Sequence, residues 1–358
     1  MSSDKYHWNL SNRSTCMKKD IKKILVVGPS WVGDMVMAQS LFIALKAQNP
    51  DVVIDVLAPS WSAPLLARMP EVNKAIDMPL GHGRLGFTDR WKLGRALVGL
   101  YDQAILLPNS LKSAIVPWAA KIRIRTGWKG EMRYYLLNDF RSLDKAIYTK
   151  TVQRFVALAY KKEANFDIEY PRLSVERQSV EAALKKFSLN GKTQNKILGL
   201  CPGAEFGPSK QWPAEHYANF AKEYIQRGWS VWLFGSAKDQ AITQKINQHL
   251  NGLAIDLASH TSLAEAIDLL SATDAVVSND SGLMHVAAAL ARPLVAVYGS
   301  TDPNFTPPLG ALSRVVDLEL ACSPCFKREC PLVHMNCMNH IEPKMVIDAM
   351  DRLIEAGH

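Results

Sequence analysis

Short apolar runs alternate with amphipathic segments along most of the chain. In the first half, the runs predict strands at residues 24–27, 53–57 and 104–107, with helices that include 40–48 and 91–100. In the second half, they predict strands at 197–201, 231–234, 275–278 and 294–298, with helices at 215–226, 263–270 and 283–291. Continuous apolar strands separated by helices are typical of parallel sheets covered on both faces. The pattern therefore predicts two doubly wound α/β halves.

The alternation weakens between about residues 160 and 195, which places a domain boundary there. We expect domains at residues 21–175 and 176–342, followed by a final helix at 343–358 with Pro343 at its start and Gly357 at its end. Residues 1–20 are polar and lack the apolar core of a signal peptide, so we expect a flexible extension. Because parallel sheets bind ligands at the carboxyl ends of their strands, the predicted site lies in the cleft between the halves.

One strand-to-helix loop is suited to an anion. The segment Ser278-Asn-Asp-Ser-Gly-Leu-Met-His285 follows an apolar strand and leads directly into a helix. Unpaired backbone N–H groups and the positive end of a helix dipole favour a diphosphate there, close to Ser281 and Gly282. The His285 ring either faces the phosphates or packs beneath the loop, and Asp280 either orients the loop or meets a sugar hydroxyl.

A second loop of this kind lies near the start of the chain. Gly28-Pro-Ser-Trp-Val-Gly33-Asp34 has the spacing of a P-loop, but Asp34 stands where a P-loop has its phosphate-binding Lys. A carboxylate at this position repels phosphate and is well placed to accept a proton from a hydroxyl. Asp34 is therefore the candidate general base, a role compatible with capping the following helix.

The second half opens with a Gly/Pro-rich loop, Cys201-Pro-Gly-Ala-Glu-Phe-Gly-Pro-Ser-Lys-Gln-Trp-Pro213. Its Lys210 is either a solvated surface charge or a cation that stabilises a departing diphosphate, and its position at a strand end favours the second interpretation. A further strand-end turn, Gly235-Ser-Ala-Lys-Asp239, predicts one edge of a nucleoside pocket.

Net charge and hydropathy limit the classes of partner and the location that we expect for the protein. Across 358 residues, 42 Lys and Arg against 34 Asp and Glu give a net charge of +8, which favours nucleic acid, phosphorylated lipid or anionic sugar. Alternation in Lys121-Ile-Arg-Ile-Arg125 puts three cations on one face of a predicted strand. This face is either solvated or part of a basic surface beside Asp34 for an anionic acceptor. The candidate acceptor-binding residues of that surface are Lys112, Arg123, Arg125, Lys129 and Arg133, together with the nearby Arg84, Arg90, Lys92 and Arg95. No apolar run approaches the ~20 residues that cross a bilayer, so we expect a cytoplasmic protein.

Four of the six cysteines are clustered. They follow the spacing Cys322-x2-Cys325-x4-Cys330-x6-Cys337. In a chain of this size, six cysteines indicate reduced thiols rather than a disulfide framework. The cluster is interpreted either as a structural zinc site or as a loop of free thiols, and no catalytic role is expected for it.

Five separated motifs now point to a known family. In chain order they are Gly28-Pro-Ser-Trp-Val-Gly-Asp-Met35, Met78-Pro-Leu-Gly-His-Gly83, Arg125-Thr-Gly-Trp-Lys-Gly-Glu-Met-Arg133, Cys201-Pro-Gly-Ala-Glu-Phe-Gly207 and Ser278-Asn-Asp-Ser-Gly-Leu-Met-His-Val-Ala-Ala288. Together they resemble the lipopolysaccharide heptosyltransferases of glycosyltransferase family 9, and among these the heptosyltransferase II group. The resemblance extends from about residue 22 to the C-terminal helix.

The resemblance implies a GT-B fold, with two Rossmann-like domains facing across a cleft. It implies an acceptor-binding domain at residues 21–175, an ADP-heptose-binding domain at 176–342, and a final helix that crosses back to the first domain. The implied reaction moves L-glycero-D-manno-heptose from ADP-heptose to the first heptose of heptosyl-Kdo2-lipid A, with inversion and without a metal or other cofactor. We expect this reaction at the cytoplasmic face of the inner membrane, with peripheral contact to its lipid surface.

The resemblance also assigns roles to residues. Asp34 is implied as the general base and Lys210 as the stabiliser of the leaving group. Asp280, Ser281, Gly282 and His285 match the diphosphate-binding loop of the family. With the candidates on the two other strand-end loops, Gly203, Glu205, Gly235 and Ser236, they make up the expected donor-binding residues.

Two other functions stay open at this point. A sugar-nucleotide epimerase of the same architecture would act without an acceptor, so acceptor dependence separates the two enzymes. A non-catalytic basic protein that binds nucleic acid or anionic lipid is the second alternative, although no nucleic-acid-binding module is recognisable and no nucleic-acid partner is expected. A nicotinamide dehydrogenase is disfavoured because neither half has a G-x-G-x-x-G turn followed by an acidic ribose ligand.

Overall fold

The computed structural model describes residues 21–80, 85–161, 164–190 and 194–356. The expected extension at residues 1–20, positions 81–83 of the second motif, Arg84 of the expected basic surface and Gly357 lie outside the described residues.

The first unit is built around a six-stranded parallel sheet with strand order β3-β2-β1-β4-β5-β6. Its strands are β1 (Lys23–Val27), β2 (Val53–Ala58), β3 (Lys74–Asp77), β4 (Gln103–Leu106), β5 (Ile124–Trp128) and β6 (Asp139–Arg141). Its helices are α1 (Val32–Gln48), α2 (Ala63–Leu66), α3 (Phe87–Ala96), α4 (Ile115–Ala119) and α5 (Thr151–Val156). β1 pairs with both β2 and β4, so the strand order reverses at β1.

The second unit repeats this plan, with strand order β12-β11-β10-β7-β8-β9. Its strands are β7 (Ile197–Cys201), β8 (Ser230–Leu233), β9 (Ile255–Asp256), β10 (Ala275–Asn279), β11 (Leu294–Val297) and β12 (Ser313–Val316). Its helices are α6 (Arg177–Lys186), α7 (Ala214–Gln226), α8 (Gln240–His249), α9 (Leu263–Ser271), α10 (Gly282–Ala289), α11 (Asn336–Asn339) and α12 (Pro343–Ala356). The two parallel sheets confirm the predicted doubly wound halves.

The strand predicted around residues 121–125 is shorter than expected. β5 begins at Ile124, and Lys121 has a positive φ of 55°, which no strand residue adopts. The prediction that Lys121, Arg123 and Arg125 lie on one face of a strand is therefore wrong, because Lys121 and Arg123 precede β5. The carbonyl of Pro117 accepts a hydrogen bond from the Ile122 amide, which turns the backbone before the strand starts.

The two units share a continuous apolar core, because α1 packs against α10. The helices meet at their first turns, where a Cβ on Gly33 would lie 2.5 Å from Cδ2 of His285 and a Cβ on Gly282 would lie 2.7 Å from Cβ of Val32. Only glycine permits such close approach at these two positions. An ion pair between Arg68 and Asp268 adds a second, polar contact between the units.

The last helix packs on its own unit. The buried side chains of α12 are Val346, Met350 and Leu353, and they belong to the apolar cluster beneath the second sheet, where the helix contacts α7, β11 and β12. Tyr224 of α7 also donates a hydrogen bond to Asp351 at 2.8 Å. This placement corrects the expectation that the helix crosses back to the first unit.

Candidate active site

Two adjoining cavities open at the carboxyl ends of the central strands. The larger, of about 910 Å³, lies mainly in the first unit, beyond the ends of β1, β2 and β4. The smaller, of about 490 Å³, lies between the units and is lined by the loops after β7, β8 and β10. Ser30, Trp31 and Trp61 line both cavities. The strand order reverses at β1 in one sheet and between β10 and β7 in the other, and ligands bind doubly wound sheets at such points.

Asp34 lies in the first turn of α1 and lines the larger cavity. Burial raises the pKa of its carboxyl to about 6, the Lys210 ammonium opposes this shift, and the Asp280 carboxylate adds to it. A carboxylate with this pKa is ionised at neutral pH, yet it is more basic than an exposed Asp. Both properties suit a general base.

Lys210 and Asp280 form a buried ion pair across two loops of the second unit. Lys210 ends a short 3-10 turn, Pro208–Lys210, and its Nζ donates to Oδ2 of Asp280 at 2.5 Å. Thr301 donates to the same oxygen at 2.6 Å. Asp280 therefore anchors the lysine rather than facing a ligand, which supports the expectation that it orients its loop.

His285 packs beneath the loop, as one of its two predicted placements expected. The ring is buried against the backbone of Gly33. Burial lowers its pKa to about 4, the Asp280 carboxylate opposes the shift, and the Lys210 ammonium adds to it. The imidazole is therefore neutral at pH 7, and it lines neither of the two cavities.

The smaller cavity brings together six of the predicted donor-binding residues: Gly203, Glu205, Gly235, Ser236, Ser281 and Gly282. Asp239 organises this wall, because its Oδ2 accepts hydrogen bonds from the backbone N and Oγ of Ser236 at 2.8 and 2.7 Å. A Cβ on Gly203 would lie 2.5 Å from the Asp239 carboxyl carbon, so glycine is required there. The exposed Glu205 is paired with Lys238.

Sequence reasoning missed the opposite wall of this cavity. Thr261, Ser262 and Leu263 at the start of α9 line it. Ser262 caps the helix, accepting from the Glu265 amide at 3.3 Å while its own amide donates to Glu265 Oε2 at 2.8 Å. The S-x-x-E spacing at residues 262–265 is a capping-box signal that the sequence carries.

The predicted acceptor-binding cations separate in the structure. Lys112 lines the larger cavity, as expected. Arg123 lines a different cavity, beside β5 and β6, and the Lys129 ammonium lies over the Tyr134 ring at 5.4 Å from its centroid. Neither residue lines the larger cavity.

Two more of these arginines are structural. Arg133 is 1% exposed and donates to the carbonyls of Pro108 and Trp128 at 2.6 and 2.7 Å, and burial lowers its pKa to about 10. Arg125 donates to the carbonyls of Leu136 and Ile122 at 2.6 and 2.5 Å. These contacts correct the expectation that Arg133 and Arg125 bind the acceptor.

Two further arginines line the larger cavity: Arg90, which belongs to the expected basic surface, and Arg154, which does not. The guanidinium of Arg154 lies 4.7 Å from the Phe305 ring centroid, and its Nε donates to the Tyr148 carbonyl at 2.9 Å. Arg90 donates to the Leu85 carbonyl at 2.8 Å. With Lys112, they give the cavity three cations.

The clustered cysteines are free thiols. Cys337 is buried, and burial raises its pKa, with further increases from the neighbouring Cys325, Cys322 and Cys330. In the part of the chain that the structure describes, no three His, Cys, Asp or Glu side chains are arranged to hold a metal ion.

Comparison with known proteins identifies the family. Residues 90–336 match the profile of glycosyltransferase family 9 (heptosyltransferase). The chain belongs to this family. It is 48% identical to lipopolysaccharide heptosyltransferase 2 of Escherichia coli K12 over 93% of this chain and 98% of that protein. It is also 51% identical to lipooligosaccharide heptosyltransferase 2 of Haemophilus influenzae over 82% of this chain and 88% of that protein.

A solved structure extends the similarity to the fold. The structure of E. coli ADP-heptose lipopolysaccharide heptosyltransferase II superposes with a TM-score of 0.83 at 45% identity, covering 94% of this chain and 99% of that one. This similarity confirms the expected GT-B arrangement of two Rossmann-like sheets. Among the helices that the structure describes, none is long and apolar enough to span a membrane.

Proposed function

We propose that the protein is an inverting glycosyltransferase that moves L-glycero-D-manno-heptose from ADP-heptose to the first heptose of heptosyl-Kdo2-lipid A. Membership of the heptosyltransferase family supports this reaction, as do the names of its relatives. The observation that carries the mechanism is the position of Asp34 in the larger cavity, where the Lys210 ammonium and the Asp280 carboxylate, paired with each other, both act on its pKa.

The donor occupies the smaller cavity in this proposal. Its diphosphate lies beside Ser281 and Gly282 at the N-terminus of α10, where the helix dipole and free amides stabilise negative charge. The Lys210 ammonium stabilises the charge that develops on ADP as it departs.

The acceptor sugar occupies the larger cavity, where Lys112, Arg90 and Arg154 bind its anionic groups. Asp34 accepts the proton of the attacking hydroxyl while that oxygen forms the new bond to the anomeric carbon. Attack on the face opposite ADP inverts the configuration at this carbon in a single displacement.

We further propose that the protein works at the cytoplasmic face of the inner membrane, in peripheral contact with its lipids. Three aromatic rings support this contact: the centroids of Phe87 and Trp91 are 6.1 Å apart, and those of Trp91 and Trp118 are 5.2 Å apart. All three are exposed, by 51%, 37% and 38%. α3 also exposes the cations Lys92 and Arg95, and aromatic rings beside cations favour an anionic membrane surface.

The reaction is tested by incubating heptosyl-Kdo2-lipid A and ADP-heptose with the protein, with and without EDTA, and recording mass spectra. Gain of one heptosyl unit with release of ADP in both samples is the expected result. Donor consumed without an acceptor would instead indicate an epimerase or a hydrolase, and a product with retained anomeric configuration would refute single displacement.

The membrane contact is tested with Trp91→Ser and phosphatidylglycerol vesicles. The variant should bind vesicles several-fold more weakly than the wild type, whereas Leu253→Ser, at an exposed apolar position of the second unit, should bind as the wild type does. Equal binding by all three proteins would refute the contact.

A further inference from the structure

A short segment before the last helices lies against the loop that carries Lys210. We call this segment, residues 323–328, the brace. Hydrogen bonds fix it to residues 299–301, the turn that follows β11. Phe326 donates its amide hydrogen to the Ser300 carbonyl at 2.7 Å, and the Ser323 hydroxyl donates to the Gly299 carbonyl at 2.5 Å. The same turn supplies Thr301, which donates to Asp280. The brace and the partner of Lys210 therefore share one support.

Ser209 joins the Lys210 turn to the brace. Its amide donates to the Arg328 carbonyl at 3.1 Å, and its Oγ donates to the Lys327 carbonyl at 2.5 Å. Its Oγ also lies 3.0 Å from Oγ of Ser300. The side chain is 1% exposed, so water does not replace these contacts when one of them is lost.

The neighbours of Ser209 fit the brace closely. A Cβ on Gly207 would lie 2.5 Å from the Arg328 carbonyl oxygen, so only glycine lets the loop approach this near. The Phe206 ring has the Lys210 ammonium 5.0 Å from its centroid and the Arg328 guanidinium at 5.7 Å. Residues on both sides of Ser209 are thus held against the brace, and Lys210 follows directly.

We propose that Ser209 is a positioning residue, which holds the Lys210 ammonium in place by tying its turn to the brace. The inference rests on the role proposed above for Lys210. Asp280 holds the ammonium at one end, but the lysine stem is long and flexible, so the geometry of this pair also depends on where the backbone of the turn is held. A displacement of about 1 Å at a reacting centre costs as much as ~100-fold in rate.

The test compares kinetics of Ser209→Ala with those of the wild type over a range of pH. We expect kcat to fall about tenfold, with KM for ADP-heptose changed less than about twofold, since the lost contact matters most as ADP departs. The acid limb of kcat/KM should also move to higher pH, because the ammonium lowers the pKa of Asp34 and its influence weakens when it is displaced. A merely structural role would not move this limb.

Three further variants complete the design. Ser300→Ala removes the hydroxyl beside Ser209 and should cause a smaller change in the same direction, which keeps the test valid if Ser209→Ala folds poorly. Ser313→Ala is the control: it removes a buried hydroxyl of the second unit that has no hydrogen-bond partner. Its kcat and its acid limb should match those of the wild type. Lys210→Ala should show the largest loss of kcat, because it removes the ammonium itself.

The outcomes separate the two proposals. If Lys210→Ala is slow but Ser209→Ala and Ser300→Ala keep wild-type kcat and an unmoved acid limb, the positioning role alone is refuted. A loss of rate in either serine variant without movement of the limb also refutes it. If Lys210→Ala keeps the wild-type rate, the proposed role of Lys210 fails and the positioning role fails with it.

Discussion

Replacing Asp34 by Asn should abolish turnover and at the same time stabilise the fold. Loss of a general base typically costs ~10²–10⁴-fold in rate, and the amide cannot accept the proton. Burial of the carboxylate, however, is unfavourable to the folded state, as its raised pKa indicates. An isosteric amide removes that charge.

The size of the stabilisation follows from the pKa. A rise from 3.8 to about 6 is a shift of about 2 units, and each unit is worth ~1.4 kcal/mol, so the ionised carboxylate costs the folded state about 3 kcal/mol. Between these two pH values the folded state binds more protons than the unfolded state, so stability falls as pH rises through this window. The cost is complete above pH 6, about half as large at pH 5, and absent well below pH 3.8.

The assay is denaturant unfolding of the ligand-free protein at pH 5 and pH 8. We expect Asp34→Asn to raise the free energy of unfolding by about 1–3 kcal/mol at pH 8 and by about half as much at pH 5. Donor binding, measured by calorimetry, should stay close to that of the wild type, because Asp34 does not line the donor cavity.

Asp51→Asn is the matched control, at an exposed aspartate beyond the other end of α1. It should leave turnover at the wild-type level. Wild-type turnover in Asp34→Asn would refute the general-base assignment, and a stability difference that does not vary between pH 5 and pH 8 would refute the burial argument.

Three further predictions address other parts of the site. Arg133→Lys should lower the free energy of unfolding by about 2–4 kcal/mol, because buried carbonyls lose their donors. Once circular dichroism shows that the variant is folded, an unchanged KM for the acceptor would confirm that Arg133 does not bind it, and a raised KM would contradict this. Gly33→Val should reduce turnover at least ~10-fold, since its side chain would collide with His285 at the junction of the units; a wild-type rate would contradict the tight junction. His285→Gln should leave the acid limb of kcat/KM near pH 6, because the pKa of His285 lies near 4; a limb that disappears in this variant would reassign the titrating group.

The central strands and the loops that follow them were predictable because their signals are local. β1, β7 and β10 are continuous apolar runs, and each ends in small or turn-forming residues before a helix. In parallel sheets, this sequence order fixes the edge on which the loops lie. Asp34, Lys210 and Asp280 could therefore be assigned to one cleft from the sequence.

The acceptor-binding cations were less predictable because the sequence does not show which way a side chain points. Arg125 and Arg133 belong to the same basic segment as Lys129, but their guanidinium groups satisfy carbonyls inside the first unit. Arg154, by contrast, is far from this segment in sequence and reaches the cavity because α5 folds back towards Phe305 of the second unit. The sequence therefore indicated a basic surface, but tertiary contacts decide which cations line the cavity.

The two aspartates of the strand-to-helix turns show how environment divides similar groups between roles. Asp280 has a structural part, because its Oδ2 accepts hydrogen bonds from both Lys210 and Thr301. For Asp34, burial is the largest cause of the raised pKa, and no hydrogen bond contributes to the shift. The same Lys210 ammonium lowers this pKa only through space. One lysine is thus fixed by one carboxylate and keeps the other ionised near neutral pH. Displacing Lys210 should therefore impair departure of ADP and also make Asp34 harder to deprotonate, because both depend on the position of one ammonium.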